Sequence, residues 1–396
     1  MEKILRHNEK PRICFVAHGA YGTMTGGNSG HIGGVERQTS LMARWFARRG
    51  HQVSMLTWDE SGPAEEMIDG VRVIKQCRQD AGFKGLRFFW PRWTSLVAAM
   101  KRADADIYYH NLAECVTGQM AFWCRRHGRK FIFSVSADTQ CRAKLPYRFQ
   151  ERILYRYGLR HIDQVIVQSR RQREMMQENF GCDSVILPMP CPGPSDDDFR
   201  DGKRKWSDSK RILWIGRICE VKRPDRLLDL AKTCPDLSFD LVGPEDGTSY
   251  SRNVCERAKT IANVTLHGPA SRDHVSEFYK RARVVCCTSD SEGFPNTFLE
   301  AWSYGVPIVS TFDPGGIIAD KGLGIIDREA RGLAEGIRRL CNSPDQWKGM
   351  SQKVRQYYLE NHTVEVVMPQ FEQVFLDVVK AHDRRISPGS FNKVGG

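Results

Sequence analysis

The sequence predicts an α/β protein with two doubly wound domains, each built on a buried parallel sheet. Three observations support this prediction: the chain has 396 residues, short apolar runs alternate with helical patterns in both halves, and a proline-rich stretch separates the halves. A chain of this length is too long for one ordinary hydrophobic core. Strands that alternate with helices are typical of βαβ units, which form parallel sheets.

The first predicted domain covers residues 1–187. Its candidate strands are the apolar runs RICFVA, QVSMLT, DIYYH, KFIFSVS and QVIVQS. Between the first two lies GGVERQTSLMARWFARRG, in which apolar residues recur at helical spacing. We therefore expect strands and helices to alternate from the start of the chain.

Residues 188–205 are predicted to form an exposed linker. Four prolines stand at alternate positions and are followed by charged residues, a pattern that excludes a helix or a central strand. The second predicted domain, residues 206–363, then repeats the alternation. Its candidate strands are RILWIG, SFDLVG, NVTLHG, RVVCCTS and VPIVS.

The end of the chain is predicted to form one more amphipathic helix, over residues 364–383, followed by a disordered tail, residues 384–396. Apolar residues recur at helical spacing in the helical segment: Val367, Phe371, Val374, Phe375 and Val378.

The composition, 41% hydrophobic and 27% charged residues, is that of a globular protein. No apolar run reaches the roughly 18 residues of a membrane span, and the first residues lack the apolar stretch of a signal peptide. We therefore expect a cytoplasmic protein, peripheral to a membrane at most. The thirteen cysteines show no zinc-site spacing, which favours reduced thiols.

The net charge of +12 belongs almost entirely to the first domain. Residues 1–187 contain 29 basic and 18 acidic side chains, whereas the remainder contains 30 and 29. Basic residues recur at intervals of four around Pro146, a plausible helix start, and form a stripe: Lys144, Arg148, Arg152, Arg156 and Arg160. Together with the aromatic stretch 87–93, the stripe predicts contact with an anionic membrane surface or with an acceptor that is lipid-linked or otherwise anionic. A solvated arginine face fits the same pattern.

The stretch SDSEGFPNTFLEAW, which begins at Ser289, carries the main candidate site. It follows a candidate strand and enters a helix, and parallel sheets bind anionic ligands where strands end and helices begin. We expect Glu292 to lie at a reacting sugar and Glu300 to accept ribose hydroxyls. The spacing alone also fits an ordinary strand–turn–helix with solvated glutamates. The other candidate binding residues here are Gly293, Phe294, Pro295, Asn296 and Thr297.

Two motifs support a family resemblance. The segment from Glu292 to Glu300 resembles the E-x7-E motif of glycosyltransferase family 4, whose members are retaining enzymes with the GT-B fold. WIGRICEVK resembles the family's G-R-x4-K segment, and the glycines at 26, 27, 33 and 34 resemble its glycine-rich loop. The loop glycines alone would also fit a surface turn.

The resemblance implies two Rossmann-like domains facing a central cleft, the first on the acceptor side and the second binding the nucleotide sugar, with the last helix crossing back to the first domain. It implies a hexosyltransferase that uses a UDP- or GDP-sugar, in the synthesis of a surface polysaccharide or glycolipid. Arg217 and Lys222 would hold the diphosphate, and Gly33 and Gly34 would approach the phosphates. No metal or other cofactor is expected, since the D-x-D pair at Asp104 and the acidic run 196–198 are predicted to be solvated.

The first domain departs from the family pattern after its fourth strand. Family members carry a histidine there that touches the donor sugar, whereas this chain has Ser136, Ala137 and Asp138. We expect Asp138 to replace it, with His110 as the second choice; a histidine that only caps the end of its strand is an equal interpretation of His110.

Two other classes of protein fit parts of the sequence. A nucleotide-sugar epimerase or dehydrogenase would leave Arg217 and Lys222 unexplained, and the chain lacks G-x-G-x-x-G with a following acidic residue after its first strand. A nucleic-acid-binding protein is suggested by the basic charge, but no recognised binding module is present.

Overall fold

The computed structural model describes residues 10–26, 33–60, 62–84, 86–112, 114–144, 149–194, 210–270 and 272–386. The chain forms two compact units, the first of residues 1–187 with 368–396 and the second of residues 188–367. The division after Leu187 falls where the proline-rich stretch begins. The later division falls inside the last helix, Val364–Ile386.

The sheet of the first unit has eight strands in the order β3-β4-β2-β1-β5-β6-β7-β8. Every neighbouring pair is parallel except β3 with β4. The strands are β1 Ile13–Val16, β2 Val53–Thr57, β3 Glu65–Ile68, β4 Val71–Lys75, β5 Ile107–His110, β6 Lys130–Ser134, β7 Gln164–Val167 and β8 Ser184–Ile186. The predicted α/β class with a parallel sheet is confirmed for this unit.

The antiparallel hairpin of β3 and β4 was not predicted. Its turn is Asp69-Gly70, and both residues have positive φ, 49° and 80°. An Asp-Gly pair suits such a turn because both positions need the left-handed region. The polar start of β3, Glu65-Glu66, concealed the strand.

Helices cover the sheet and bury their apolar faces against it. They are α1 Tyr21–Thr25, α2 Gly34–Arg48, α3 Thr94–Ala103, α4 Cys115–Arg126, α5 Phe149–Arg160 and α6 Arg170–Phe180. The last helix, α14 Val364–Ile386, joins this core, since Phe375 packs within 6.2 Å of the rings of Phe15, Phe46 and Tyr109. An ion pair of Glu372 with Arg49, at 3.1 Å, and a contact with His51 hold it at the rim.

The second unit has a fully parallel six-stranded sheet in the order β11-β10-β9-β12-β13-β14. Its strands are β9 Arg211–Ile215, β10 Ser238–Val242, β11 Val264–Gly268, β12 Val284–Cys287, β13 Ile308–Ser310 and β14 Gly324–Ile326. Its helices are α7 Pro224–Thr233, α8 Ser249–Lys259, α9 Arg272–Arg281, α10 Asn296–Ser303, α11 Ile317–Lys321, α12 Ala330–Asn342 and α13 Pro344–Asn361. All candidate strands of this half are present, and β14 is additional.

The predicted exposed linker is wrong for its first residues. Met189 and Cys191 are 7% and 5% exposed and belong to the core of the second unit. The hydroxyl of Tyr358 donates to the carbonyl oxygen of Cys191 at 2.8 Å. The prolines prevent regular structure here, but the apolar side chains between them still pack inward. The rest of the linker, 195–205, and the tail from residue 387 lie outside the described residues.

The D-x-D pair is also not solvated as predicted. Asp106 is paired with Arg12 at 2.7 Å and with Arg129 at 3.1 Å, and its side chain is 11% exposed. The hydrogen bond to Asp106 raises the pKa of Arg12. Asp104 binds the same two arginines. The pair therefore ties the amino-terminal end of the sheet together.

All thirteen cysteines lie within the described residues and none forms a disulfide. Burial raises the pKa of several of these thiols, Cys287 among them, as expected for core residues. Among the described residues, no helix combines the length and the apolar character that a membrane span requires.

Candidate active site

The glutamate motif folds as a strand, a loop and a helix. Strand β12 ends at Cys287 in the middle of the sheet, and α10 begins at Asn296 after Pro295, whose φ of −63° suits the entry to a helix. Phe298 and Trp302 are fully buried and fix α10 against the sheet. The first N–H groups of a helix have no intrahelical acceptor, so this helix start favours an anion.

Lys222 and Glu292 form an ion pair although 70 residues separate them in sequence. Lys222 ends a short turn after β9, and Glu292 stands in the loop after β12. The hydroxyl of Ser289 donates to the same glutamate oxygen at 2.6 Å. The side chains of Lys222 and Glu292 are 26% and 12% exposed. The pair thus holds an ammonium group at the carboxyl end of the sheet, within reach of solvent.

Further hydrogen bonds hold the two loops in register. Thr288 donates to the carbonyl oxygen of Lys222 at 2.9 Å and accepts from the indole of Trp214 at 2.9 Å. The backbone N–H of Asp290 donates to the carbonyl oxygen of Val221 at 2.9 Å. Because backbone and buried side chains make these contacts, the positions of Lys222 and Glu292 are fixed before any ligand arrives.

Arg217 stands where β9 leaves the sheet. Its side chain is exposed and makes no ion pair with any described residue. The loop that follows β10 packs closely against the residue before Arg217. Gly243 in that loop has φ 144°, and a Cβ there would lie 1.7 Å from the carbonyl oxygen of Gly216. Only glycine permits this close approach of the loops after β9 and β10. Arg217 is therefore a guanidinium available to an anion, on a rigid base.

Glu300 lies about one turn into α10 and is partly buried. The hydroxyl of Tyr279 donates to its Oε2 at 2.6 Å, and the Tyr279 ring stacks on Tyr304 with centroids 5.6 Å apart. Neither Tyr279 nor Ser289 was predicted to belong to the site. A half-buried carboxylate needs a hydrogen-bond donor, so some partner is expected for each glutamate. Which residue supplies it depends on the tertiary fold.

The intervening loop residues divide into two groups. Phe294 packs 6.1 Å from the ring of Trp302 and 5.5 Å from that of His362, and Pro295 is buried. These two side chains anchor the loop, and the binding role of Phe294 and Pro295 stays a prediction. Gly293, Asn296 and Thr297 are partly exposed, at the start of α10.

Asp138 opens a short turn after β6. One carboxylate oxygen accepts from the amide of Gln172 at 3.0 Å, and the other lies 3.9 Å from Arg171. The side chain is 14% exposed. Asp138 is thus a positioned carboxylate at the carboxyl end of the first sheet.

His110 is fully buried, with Nδ1 at 2.8 Å from the carbonyl oxygen of Val16. Burial lowers its pKa to about 4, so the ring is neutral at pH 7. A side chain without exposed surface favours the strand-end interpretation over contact with a ligand.

The glycine-rich loop is described only at its two ends. Gly26 closes α1 with φ 72°, whereas Gly27 lies outside the described residues. Gly33 precedes α2, and a Cβ there would lie 2.4 Å from a carboxylate oxygen of Glu36. Gly33 therefore makes room for Glu36, and the exposed Gly34 begins the helix.

No cluster of three or more acidic, histidine or cysteine side chains suited to a metal ion occurs among the described residues. Independence of metal stays a prediction.

Comparison with known proteins identifies relatives over most of the chain. The "Glycosyl transferase 4-like domain" model matches residues 33–191, and "Glycosyl transferases group 1" matches residues 195–357. A D-inositol 3-phosphate glycosyltransferase of Mycobacteroides abscessus is 24% identical over 80% of this chain and 78% of its own length. An uncharacterized glycosyltransferase of Haemophilus influenzae is 25% identical over 88% of this chain and 97% of its own length.

Solved structures are similar in fold. Sucrose-phosphate synthase of Thermosynechococcus elongatus has a TM-score of 0.78 at 17% identity, over 94% of this chain and 100% of that one. HepE of Anabaena, solved with UDP and glucose, has a TM-score of 0.69 at 15% identity, over 92% of this chain and 99% of that one.

Proposed function

Because the chain belongs to the group 1 glycosyltransferases, with their GT-B fold, we propose that it transfers a hexose from a UDP- or GDP-sugar, with retention of configuration. The observation that carries the proposal is the Lys222–Glu292 pair at the carboxyl end of the sheet, with the exposed Arg217 on the segment after β9 that also carries Lys222. HepE, of similar fold, was solved with UDP and glucose, which supports a nucleotide donor. Family membership sets aside the epimerase and the nucleic-acid-binding protein.

The leaving diphosphate is the first task of the site. As the bond between the anomeric carbon and the phosphate oxygen breaks, its electron pair and the negative charge move onto the diphosphate. Arg217, Lys222 and the N–H groups at the start of α10 stabilise that charge. The acceptor hydroxyl attacks on the face that the diphosphate leaves, and its proton passes to the departing phosphate oxygen.

The two glutamates serve opposite ends of the donor. Glu292, paired with Lys222, faces the sugar, whereas Glu300, oriented by Tyr279, accepts hydrogen bonds from the ribose hydroxyls. Asp138, oriented by Gln172, takes the place of the missing histidine at the sugar. Its negative charge would favour the positive charge that develops at the anomeric centre.

We further propose that the first unit works at an anionic membrane surface, on a lipid-linked acceptor in surface polysaccharide or glycolipid synthesis. Large apolar side chains are exposed on it, up to 77% for Phe83 and 63% for Trp90. The others are Met67, Leu86, Phe89, Phe122, Phe149 and Ile153. Arg156 and Arg160 are exposed on α5, the helix that also carries Phe149 and Ile153. Aromatic and basic residues together suit a lipid headgroup layer. Two members of the predicted stripe region, Pro146 and Arg148, lie outside the described residues.

The donor reaction is tested by incubating the protein with UDP- and GDP-sugars and measuring release of free nucleotide, with the anomeric configuration of the product read by NMR. Transfer with inversion of the anomeric configuration, or no nucleotide release from any donor of a broad panel, would refute the proposal.

Sedimentation with vesicles tests the membrane contact. We expect binding to anionic but not to neutral vesicles at low salt, and weaker binding for Trp90→Ser; equal binding to both kinds of vesicle would refute it.

A further inference from the structure

The first unit contains a cavity of about 1160 Å³ that no role assigned so far explains. Its lining comes from the loops that follow β1, β2, β4 and β5, at the carboxyl end of the sheet. Residues His18, Trp58, Gln76 and Glu114 represent these four loops. The volume exceeds the roughly 300 to 1,000 Å³ that is typical of small-molecule sites.

The charge of this cavity is opposite to that of the unit around it. Its lining includes three guanidinium groups, those of Arg78, Arg87 and Arg92, of which Arg78 is already paired with Asp80 at 3.1 Å. It includes twice as many carboxylates: Glu36, Asp59, Glu60, Asp80, Glu114 and Glu151. Desolvation and the nearby Glu151 raise the pKa of Glu114, as expected where carboxylates crowd together.

Several polar atoms in the lining are buried and make no hydrogen bond of ordinary geometry with the described residues: Nε2 of His18, both polar atoms of the Gln76 amide and Nε of Arg92. The Gln76 side chain interacts with the His18 ring, where it opposes the effect of burial on the His18 pKa. His18 is 6% exposed and stacks on Trp58 with ring centroids 4.2 Å apart. Burial lowers its pKa to about 3, so the ring is uncharged at pH 7. A buried polar group without a hydrogen bond is unfavourable, which favours a ligand rich in hydrogen-bonding groups.

We propose that the part of the acceptor that enters this cavity is an uncharged carbohydrate group. The inference rests on the proposed glycosyl transfer, in which the first domain is expected to be the acceptor side. Carboxylates accept hydrogen bonds from sugar hydroxyls, and the neutral His18 ring and the Gln76 amide can both donate and accept. A phosphate or a uronic acid would meet the excess of carboxylates and be repelled. The cavity therefore selects against anionic acceptor groups, although the first unit as a whole is basic.

Matched acceptors test the charge preference with the full chain. The probes are octyl glycosides of glucose, galactose, mannose and N-acetylglucosamine, and the octyl uronides of the first three sugars. Transfer from a radiolabelled donor is measured, and saturation-transfer NMR reports binding. We expect kcat/KM for the best neutral glycoside to exceed that of its uronide at least tenfold. A uronide that is used equally well overturns the inference, and so does a panel in which no neutral glycoside binds.

Variants locate the effect in the cavity. Gln76→Leu removes both polar amide atoms with little change in volume, and it should lower kcat/KM for the neutral glycoside about tenfold or more. The double variant Asp59→Asn/Glu114→Gln should lower the ratio of kcat/KM for the neutral glycoside to kcat/KM for its uronide. Glu178→Gln, an exposed carboxylate on α6 outside the cavity, is the matched control and should change neither. Unchanged discrimination in the Asp59/Glu114 variant would overturn the inference.

Failure of the donor chemistry is recognised separately. If the protein neither binds UDP and GDP nor releases nucleotide from any donor, the proposed function fails. If it turns over donor but prefers uronides, only the assignment of the cavity fails.

Discussion

Replacing Glu300 by glutamine tests whether Glu300 binds the ribose while Glu292 serves the sugar. The substitution keeps the shape of the side chain, and the amide oxygen can still accept the hydrogen bond from Tyr279 that now measures 2.6 Å. The local structure should survive, while the charge offered to the ribose hydroxyls is lost. A hydrogen bond to a charged group is worth about 1.5 to 3 kcal/mol. UDP or GDP should therefore bind about 10- to 150-fold more weakly.

Glu292→Gln should behave differently. Its carboxylate holds Lys222 and accepts from Ser289, so neutralising it frees the ammonium group for phosphate. Affinity for the free nucleotide should be unchanged or slightly higher. Turnover should fall, because the contact near the anomeric centre contributes most when charge develops there.

Calorimetry with free nucleotide and with intact donor, beside turnover, measures both variants. Glu256→Gln, a surface carboxylate on α8 whose side chain is 73% exposed, is the control in the same unit. If Glu300→Gln leaves nucleotide affinity intact while Glu292→Gln abolishes it, the assigned orientation of the donor is reversed.

Three other predictions concern the leaving group, the missing histidine and pH. Arg217→Ala and Lys222→Ala should each lower kcat about 100-fold or more in steady-state assays. Near-normal turnover in both variants would show that these residues do not bind the leaving diphosphate. Asp138→Asn should lower turnover by about two orders of magnitude with nucleotide affinity retained, and a larger loss in His110→Ala would transfer the role. Burial lowers the pKa of His18 to about 3 and those of His110 and His362 to about 4. Since the unfolded chain binds these protons near pH 6.5, stability should fall as the pH drops from about 6.5 towards 4, and a flat melting temperature over that window would contradict the reasoning.

Most strands could be predicted because they are short apolar runs between turn residues. Val284–Cys287 is an example, and its burial on both faces explains why it contains no polar residue. Three of the strands that were missed lack this signal: Glu65–Ile68 begins with two glutamates, and Ser184–Ile186 and Gly324–Ile326 are only three residues long. Val71–Lys75 does carry the signal, as the run VRVIK after an Asp-Gly turn, and could have been predicted.

The chemistry of the site was partly predictable for the same reason. A strand that ends in a loop before a helix marks a ligand site, so Glu292 could be placed at this sheet edge from sequence, whereas Lys222 was assigned through the family resemblance. Ser289, which donates to Glu292, and Tyr279, which donates to Glu300, follow from tertiary packing and have no local signature. The acidic cavity could not be foreseen either, because four loops contribute to it within a segment whose average charge is basic.

The packing of helix α14 has a consequence for the order in which the protein can fold. Phe15 and Phe46, made early in synthesis, receive their neighbour Phe375 only when almost the whole chain has been translated. A nascent or truncated chain that ends at Leu187 would expose this aromatic cluster to water, together with the His51 side chain that now contacts Glu372. We therefore expect a fragment of residues 1–187 to aggregate unless residues 364–386 are supplied as a separate peptide.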